Sequence, residues 1–425
     1  MSGLVRRTFL GAVAVSAVSA TLLSGCTPGR APAAGATSAG PGRETSSTAT
    51  GSTSPRESAA SPSPTAPAAG NVYAHDGTGM LHGAARTAKA LVYVPNTLSN
   101  TLQVIDPRTY KVIARYPTGH EPQHVVPSWD LKTLWVNDDL GNDLIPINPP
   151  TGIPGPKVPV ADPYNHYFTP EGTHALVMAE RLHRIDVRNP HTMALQRSLP
   201  VPCDGINHAD YSADQSFFLA SCEFSGKLLV IDKFATHIRK TINLNTIHTP
   251  GATTPMQAMH MPGPQSGLRP GASAMPQDVR LTPDGTHFLA ADMLRNGIWV
   301  INAHTLKIQR FLPTGKGTHS IYPDRQAHRL FIANRDAGTI TVLDATTLKT
   351  LHTWHLPGGG SPDMGGVSND GRTLWLSGRY HNAVYVLDTT TGRLLKKIPV
   401  DHGPHGLCIW PQPGRYSLGH TGNMR

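Results

Sequence analysis

Hydrophobic positions in this chain come in short runs. From Leu91 to Cys408, runs of aliphatic, β-branched and aromatic residues alternate with clusters of Gly, Asn, Asp and Pro. The runs are too short for helices and carry no 3.6-residue period, so they predict strands joined by tight turns. One run, an apolar stretch ending in Asp or Asn, recurs seven times. It reads Val104-Ile105-Asp106, Pro146-Ile147-Asn148, Arg184-Ile185-Asp186, Val230-Ile231-Asp232, Val300-Ile301-Asn302, Val342-Leu343-Asp344 and Val386-Leu387-Asp388. Successive intervals are 42, 38, 46, 70, 42 and 44 residues. A second marker follows about half a repeat later, as in Thr282-Pro283-Asp284-Gly285 and Ser368-Asn369-Asp370-Gly371. A period near 40 with about four strands per unit predicts β-propeller blades. A lone four-stranded sheet cannot bury both faces, so the expected class is all-β, with seven blades stacked round an axis.

The strand order also predicts how the ring closes. The repeats begin at the second strand of a blade, near Leu91, and end on a first-strand pattern, Gly406-Leu407-Cys408-Ile409-Trp410. That last strand is expected to complete the first blade and remove the exposed edge. The 70-residue interval implies an insertion at about residues 245–273, between two blades.

Outside the repeats the pattern changes. Arg6-Arg7-Thr8-Phe9-Leu10 precedes an apolar stretch, Gly11 to Leu23, too short for a membrane span and ending in small residues. This is a twin-arginine export pattern. Leu23-Ser24-Gly25-Cys26 resembles a bacterial lipobox, which implies cleavage before Cys26 and its diacylation. Residues 1–25 are thus expected to be a lipoprotein signal peptide. The mature protein would sit in membrane lipid on the outer side of the cytoplasmic membrane, held through Cys26 by more than one acyl chain. Residues 26–70 are nearly all Ala, Gly, Ser, Thr and Pro and cannot offset their ordering entropy, so they read as a disordered tether. Residues 71–425 are left for the propeller.

Composition narrows the partners. The chain has 41 Gly and 38 Pro, only 15% charged residues, and a formal charge of +9 with no dense basic run. Nucleic acid is therefore not an expected partner. Cys203 and Cys222 are a candidate disulfide in an oxidising compartment, with Cys408 alone; three buried thiols is the other reading.

The repeat resembles the YVTN type of the YncE-like and cytochrome d1-like propeller superfamily. The first unit carries it as Leu91-Val92-Tyr93-Val94-Pro95-Asn96, Ser99-Asn100-Thr101-Leu102 and Val104-Ile105-Asp106, then Gly119 and Pro122. The sixth reads Leu330-Phe331-Ile332-Ala333-Asn334 and Gly338-Thr339-Ile340-Thr341-Val342-Leu343-Asp344. The second and third units depart from the consensus. The resemblance implies a fold more than a function, since such repeats serve surface proteins, lactonase-like enzymes and haem d1-type propellers.

In such blades the innermost strand starts after the Gly-x-x-Pro turn, at one mouth of the central channel. Read round the ring, that position holds His124, His166, His208, Asp278, His319, Asp363 (or its neighbour Met364) and His405. Imidazole is a common metal ligand near neutral pH, and five sequence-distant histidines on one circle make a candidate ligand or metal site. The bland reading has each histidine bonding a carbonyl of the next blade. The pattern is similar in outline to nitrous-oxide reductases, though their copper-binding domain has no counterpart here. Met256, Met259, His260 and Met261 in the insertion are a candidate lid. Loops on that face also carry Asp138, Asp139, Glu180, Arg181, Glu223, Asp292, Arg295, Arg335, Asp336, Arg379, Tyr380 and His381, a mixed polar rim. No nucleophile motif or phosphate loop is present. The expectation is an anchored propeller binding a small molecule, metal or partner protein through a His-lined mouth. The rival is a redox enzyme using copper or haem, or else a lactonase-like hydrolase; the catalytic residues are not assigned. The tail, Tyr416 to Arg425, is unlike the repeat, and His420 is placed to fold back towards the channel.

Overall fold

A computed structural model describes residues 70–247, 268–269 and 271–425. Arg6, Arg7, Cys26, Met256, Met259, His260 and Met261 lie outside the described residues. Within them the strands form seven antiparallel sheets, one per blade. Among the described residues no helix is long and apolar enough to cross a membrane.

Blade 1 is Leu91–Asn96, Thr101–Asp106 and Lys111–Pro117, completed on its inner side by Cys408–Trp410. Leu91 pairs with Trp410 and Tyr93 with Cys408, so the ring closes as the strand order predicts. Blades 3 to 7 each hold four consecutive strands. Blade 2 departs from the rule. Its outer strand is split into Ile153–Pro154 and Val158–Pro159, both paired to Asp143–Asn148. Pro154, Pro156 and Pro159 lack the N–H groups a continuous ladder needs, which accounts for the break.

Burial explains why three strands of each blade read as almost unbroken apolar runs. Leu91–Asn96 and Pro122–Pro127 are buried throughout, whereas the outer strand Lys111–Pro117 faces solvent. Inner strands are covered on both faces by neighbouring blades. Trp299, Trp375 and Trp410 are among the largest fully buried side chains. Each such ring contributes at least about 1.5–3 kcal/mol by its removal from water.

The Asp or Asn that ends the repeated run caps the turn to the outer strand. Asp344 Oδ1 accepts from the N–H groups of Thr346 and Thr347, and Asn302 and Asp388 do the same in their own blades. These are Asx turns, where a carboxylate or amide oxygen takes up backbone donors that the strand has left. Blade 3 corrects the sequence reading. There the turn is capped by Asn189, which accepts from His191 and Thr192, three residues beyond Asp186. Asp186 is instead buried and paired with Arg184 and Arg188 at 2.8 Å each. Cys203 and Cys222 are joined by a disulfide with Cα atoms 6.0 Å apart, and Cys408 is a buried free thiol. The bridge ties the loop entering blade 4 to that blade's own second strand.

Both termini of the described region close the face at which the innermost strands end. Val72 N donates to Pro283 O at 2.8 Å and Gly79 N to Asn369 O at 3.2 Å, both in turns on that face. The tail then runs up the channel. Phe168 N donates to Leu418 O at 2.9 Å, His420 N to His166 O at 3.0 Å, and Arg425 meets Asp210 at 2.6 Å. Leu418, His420, Thr421, Asn423, Met424 and Arg425 are all buried.

Candidate functional site

The innermost strands begin at the opposite mouth, and there they bulge. Register shifts fall between Pro122 and His124, Ile206 and Ala209, Pro276 and Val279, Thr318 and Ser320, and Pro362 and Gly365. Each bulge contains or adjoins the residue that the repeat assigns to the channel mouth. A bulge inserts an extra residue and re-aims a side chain, so the local backbone is shaped to turn these groups inward.

Four of the five repeat histidines converge. The His124 ring centroid is 4.9 Å from that of His405 and 5.5 Å from that of His208. His319 closes the circuit, 6.1 Å from His208 and 6.0 Å from His405. The tail adds a fifth ring: His420 lies 4.8 Å from His208 and 5.5 Å from His124. Gly406 makes room beside the cluster, because a Cβ there would overlap the His124 ring.

The other assigned residues stand behind this cluster. His166 is buried but turned away, with Nδ1 on Asn137 Oδ1 at 3.1 Å and its ring edge-on to Phe168. Asp363 does not face the opening. It accepts from His405 Nδ1 at 2.7 Å, lies 3.1 Å from His319 Nδ1 and holds Arg335 at 2.6 Å. Its carboxylate orients the His405 imidazole, the arrangement that usually backs metal-binding histidines. Asp278 accepts from Ile321 N at 2.9 Å and sits 3.7 Å from His420 Nε2.

The hydrogen bonds leave nitrogen atoms unused. His124 Nδ1 donates to the Tyr164 carbonyl at 2.9 Å, which puts a lone pair on Nε2. Asn165 Nδ2 lies 3.1 Å from His420 Nδ1 and 3.4 Å from His208 Nδ1; donating to both, it leaves their hydrogens on Nε2, so these two rings must take the other tautomer to ligate through Nε2. Nε2 of His124, His208, His405 and His420 is buried with no hydrogen-bond partner among the described residues. Burial pushes the His124 imidazole down to about 4 and those of His208, His319, His405 and His420 well below the usual value. These rings are therefore neutral at physiological pH, the form that ligates a metal. A buried polar atom left without a partner costs about 1–3 kcal/mol, so several in one place need a reason.

Among the described residues, one set of three metal-ligating groups converges: His124, His208 and His420, with ligand atoms within 4.8 Å of one another. Tetrahedral ligands at about 2.0–2.1 Å from an ion stand roughly 3.3 Å apart, so the rings need only a small inward movement. The donor set is all imidazole, which suits copper and zinc. A porphyrin fits poorly, because the tail hairpin with its Ser417–Met424 bridge occupies the channel. Sequence reasoning mentioned His420 only as a residue that folds back, and it missed Asn165 altogether. Neither lies at the repeat position that marks the other histidines.

The class defined by this geometry is a seven-bladed propeller with an axial imidazole cluster closed from behind by its own tail. The chain belongs to the YncE-like β-propeller family, whose model matches residues 78–196 and 267–413. No curated protein matches it. Among solved structures it is similar to Kuenenia stuttgartiensis hydrazine synthase, with a TM-score of 0.55 at 16% identity over 72% of this chain and 94% of that one. It is also similar to a functionally unknown protein from Desulfotomaculum acetoxidans, with a TM-score of 0.58 at 13% identity over 76% and 100%. A dihydro-heme d1 dehydrogenase gives 0.50 at 15% identity over 75% of each chain. At these identities the likeness is one of fold.

Proposed function

We propose that this protein is a membrane-anchored, extracytoplasmic propeller that binds a transition-metal ion, copper or zinc, in its axial histidine cluster. The observation that carries the reading is the convergence of His124, His208 and His420 with their buried, unpartnered nitrogens. Asp363 and Asn165 hold the surrounding rings in place, and the tail seals the cluster from the rear. The ligand enters from the mouth formed by the loops between blades.

Titration calorimetry of the purified full chain with Cu(II) and Zn(II) tests this. One ion per chain is expected. Because His124 and His208 sit on different blades, replacing both with Ala should weaken binding at least 100-fold while the far-UV spectrum stays unchanged. A chain that takes up neither metal, with a melting temperature indifferent to both, would show the histidines to be structural.

The anchoring reading rests on Arg6, Arg7 and the Leu23 to Cys26 motif. Cys26→Ser is expected to move the protein from the membrane fraction to the soluble extracytoplasmic fraction with its melting temperature kept. Retention in the membrane after that substitution would sink the lipoprotein reading.

A further inference from the structure

Between blades 2, 3 and 4, among the loops of this same face, lies a cavity of about 320 Å³. Its walls include Leu140 and Phe224, and its polar lining includes Glu121, Asp139 and Glu180. Glu180 follows the second strand of blade 3, Ala175–Ala179. It is only 4% exposed, and its Oε2 has no hydrogen-bond partner. An isolated buried carboxyl of this kind is costly, and native structures seldom hold one without a counterpart.

The basic residues of the pocket do not supply that counterpart. Arg181 is committed to Asp162 at 2.8 Å and Asp139 at 3.5 Å. Arg269 is committed to Asp204, at 2.8 Å through Nη2. Among the described residues neither Glu121 nor Glu180 forms an ion pair. In the free protein a proton can neutralise this carboxyl, and a cation from outside would take the proton's place. It is not a metal ion at this spot, because the one convergent ligand set among the described residues is that of the histidines. Carboxylates that do not converge on one point suit a larger, hydrogen-bonding cation. The cavity is at the small end of ligand pockets, which run from about 300 Å³. Gly205, at φ +72°, lets the wall stay thin: a Cβ there would stand 2.7 Å from the Phe224 ring. Phe224 lines the cavity on this side and supplies an aromatic surface.

We propose that this pocket binds a small organic amine, with its ammonium on Glu180 and its apolar body against Phe224 and Leu140. The site is separate from the histidine cluster and does not depend on a metal there. Calorimetry with benzylamine on the metal-free full chain tests it, with benzyl alcohol as the neutral isostere. Benzylamine should bind, benzyl alcohol at least tenfold more weakly, and Glu180→Gln should weaken benzylamine at least tenfold. The same variant should take up Cu(II) or Zn(II) as the parent does, which separates failure of this proposal from failure of the metal reading. Absence of benzylamine binding, equal binding by the variant, or equal binding of the alcohol would each overturn it, as would displacement of benzylamine by millimolar Ca²⁺.

Discussion

Glu180→Gln is expected to stabilise the unliganded protein increasingly as pH rises above about 5, and to leave it nearly unchanged near pH 4. Burial raises the Glu180 carboxyl well above its ordinary value, and negative charge on Glu223, Asp139, Asp162 and Glu121 adds to the rise. In the unfolded chain the same carboxyl titrates near 4.5. Between those two values the folded state holds one proton that the unfolded state has lost. The stability linked to that proton is complete below the unfolded value and drains away as pH rises towards the folded one. The slope is about 1.4 kcal/mol per pH unit for one proton. Gln mimics the protonated carboxyl at every pH and has no such slope. By pH 7 the Gln variant should therefore be clearly the more stable of the two, read as urea midpoints from pH 4 to 8. A difference that stays flat with pH would mean that the carboxylate has a counterpart in the free protein, and the amine pocket would lose its main support. Saturating benzylamine should shrink the difference, since an ammonium on Glu180 favours the ionised form.

Much of the architecture was legible because a repeat multiplies each weak signal. One Val-Ile-Asp run says little, but seven at similar spacing predict blades, and the position after each Gly-x-x-Pro turn predicts a circle of side chains. His124, His208, His319 and His405 were found that way. In blade 3 the marker sits three residues further on than the pattern suggests, because Asp186 and Asn189 both close a strand-like run. Only their hydrogen bonds separate a turn cap from a carboxylate buried with two arginines. Nor are the residues of the ring equivalent, although their shared repeat position implies it. Asp363 orients its neighbours and His166 turns to Asn137, distinctions set by contacts between blades that no single repeat encodes. Glu180 read as one member of a solvated rim, because burial at a loop depends on what the adjacent loops do. His420 stands outside the repeat, so periodicity could not place it.

Removal of residues 406–425 is expected to abolish cooperative folding, whereas removal of residues 414–425 should leave a folded but weakened ring. The longer deletion takes away Cys408–Trp410, the strand that pairs with Leu91 to Tyr93. It exposes the inner edge of blade 1, uncovers the core that Leu407 and Ile409 fill with Val92, Val384 and Trp375, and empties the place of Trp410 beside Tyr93 and Leu102. The bared edge of Leu91–Asn96 favours aggregation. The shorter deletion keeps the closing strand and removes the plug. Leu418 and Met424 are buried, and each contributes about 1.5–3 kcal/mol. Loss of Arg425 leaves Asp210 buried without its cation, a change that costs about 3–5 kcal/mol when one partner of such a pair is deleted. Together these approach the whole stability of an ordinary domain, about 5–15 kcal/mol, so a large drop in melting temperature should follow. The shorter form also lacks His420 and should bind Cu(II) or Zn(II) much more weakly even at temperatures where it is folded. Scanning calorimetry and light scattering on both deletions decide the matter. If the 406–425 deletion melts like the parent, the ring closes elsewhere. If the 414–425 deletion keeps both its melting temperature and its metal, the tail is neither a plug nor a source of ligand.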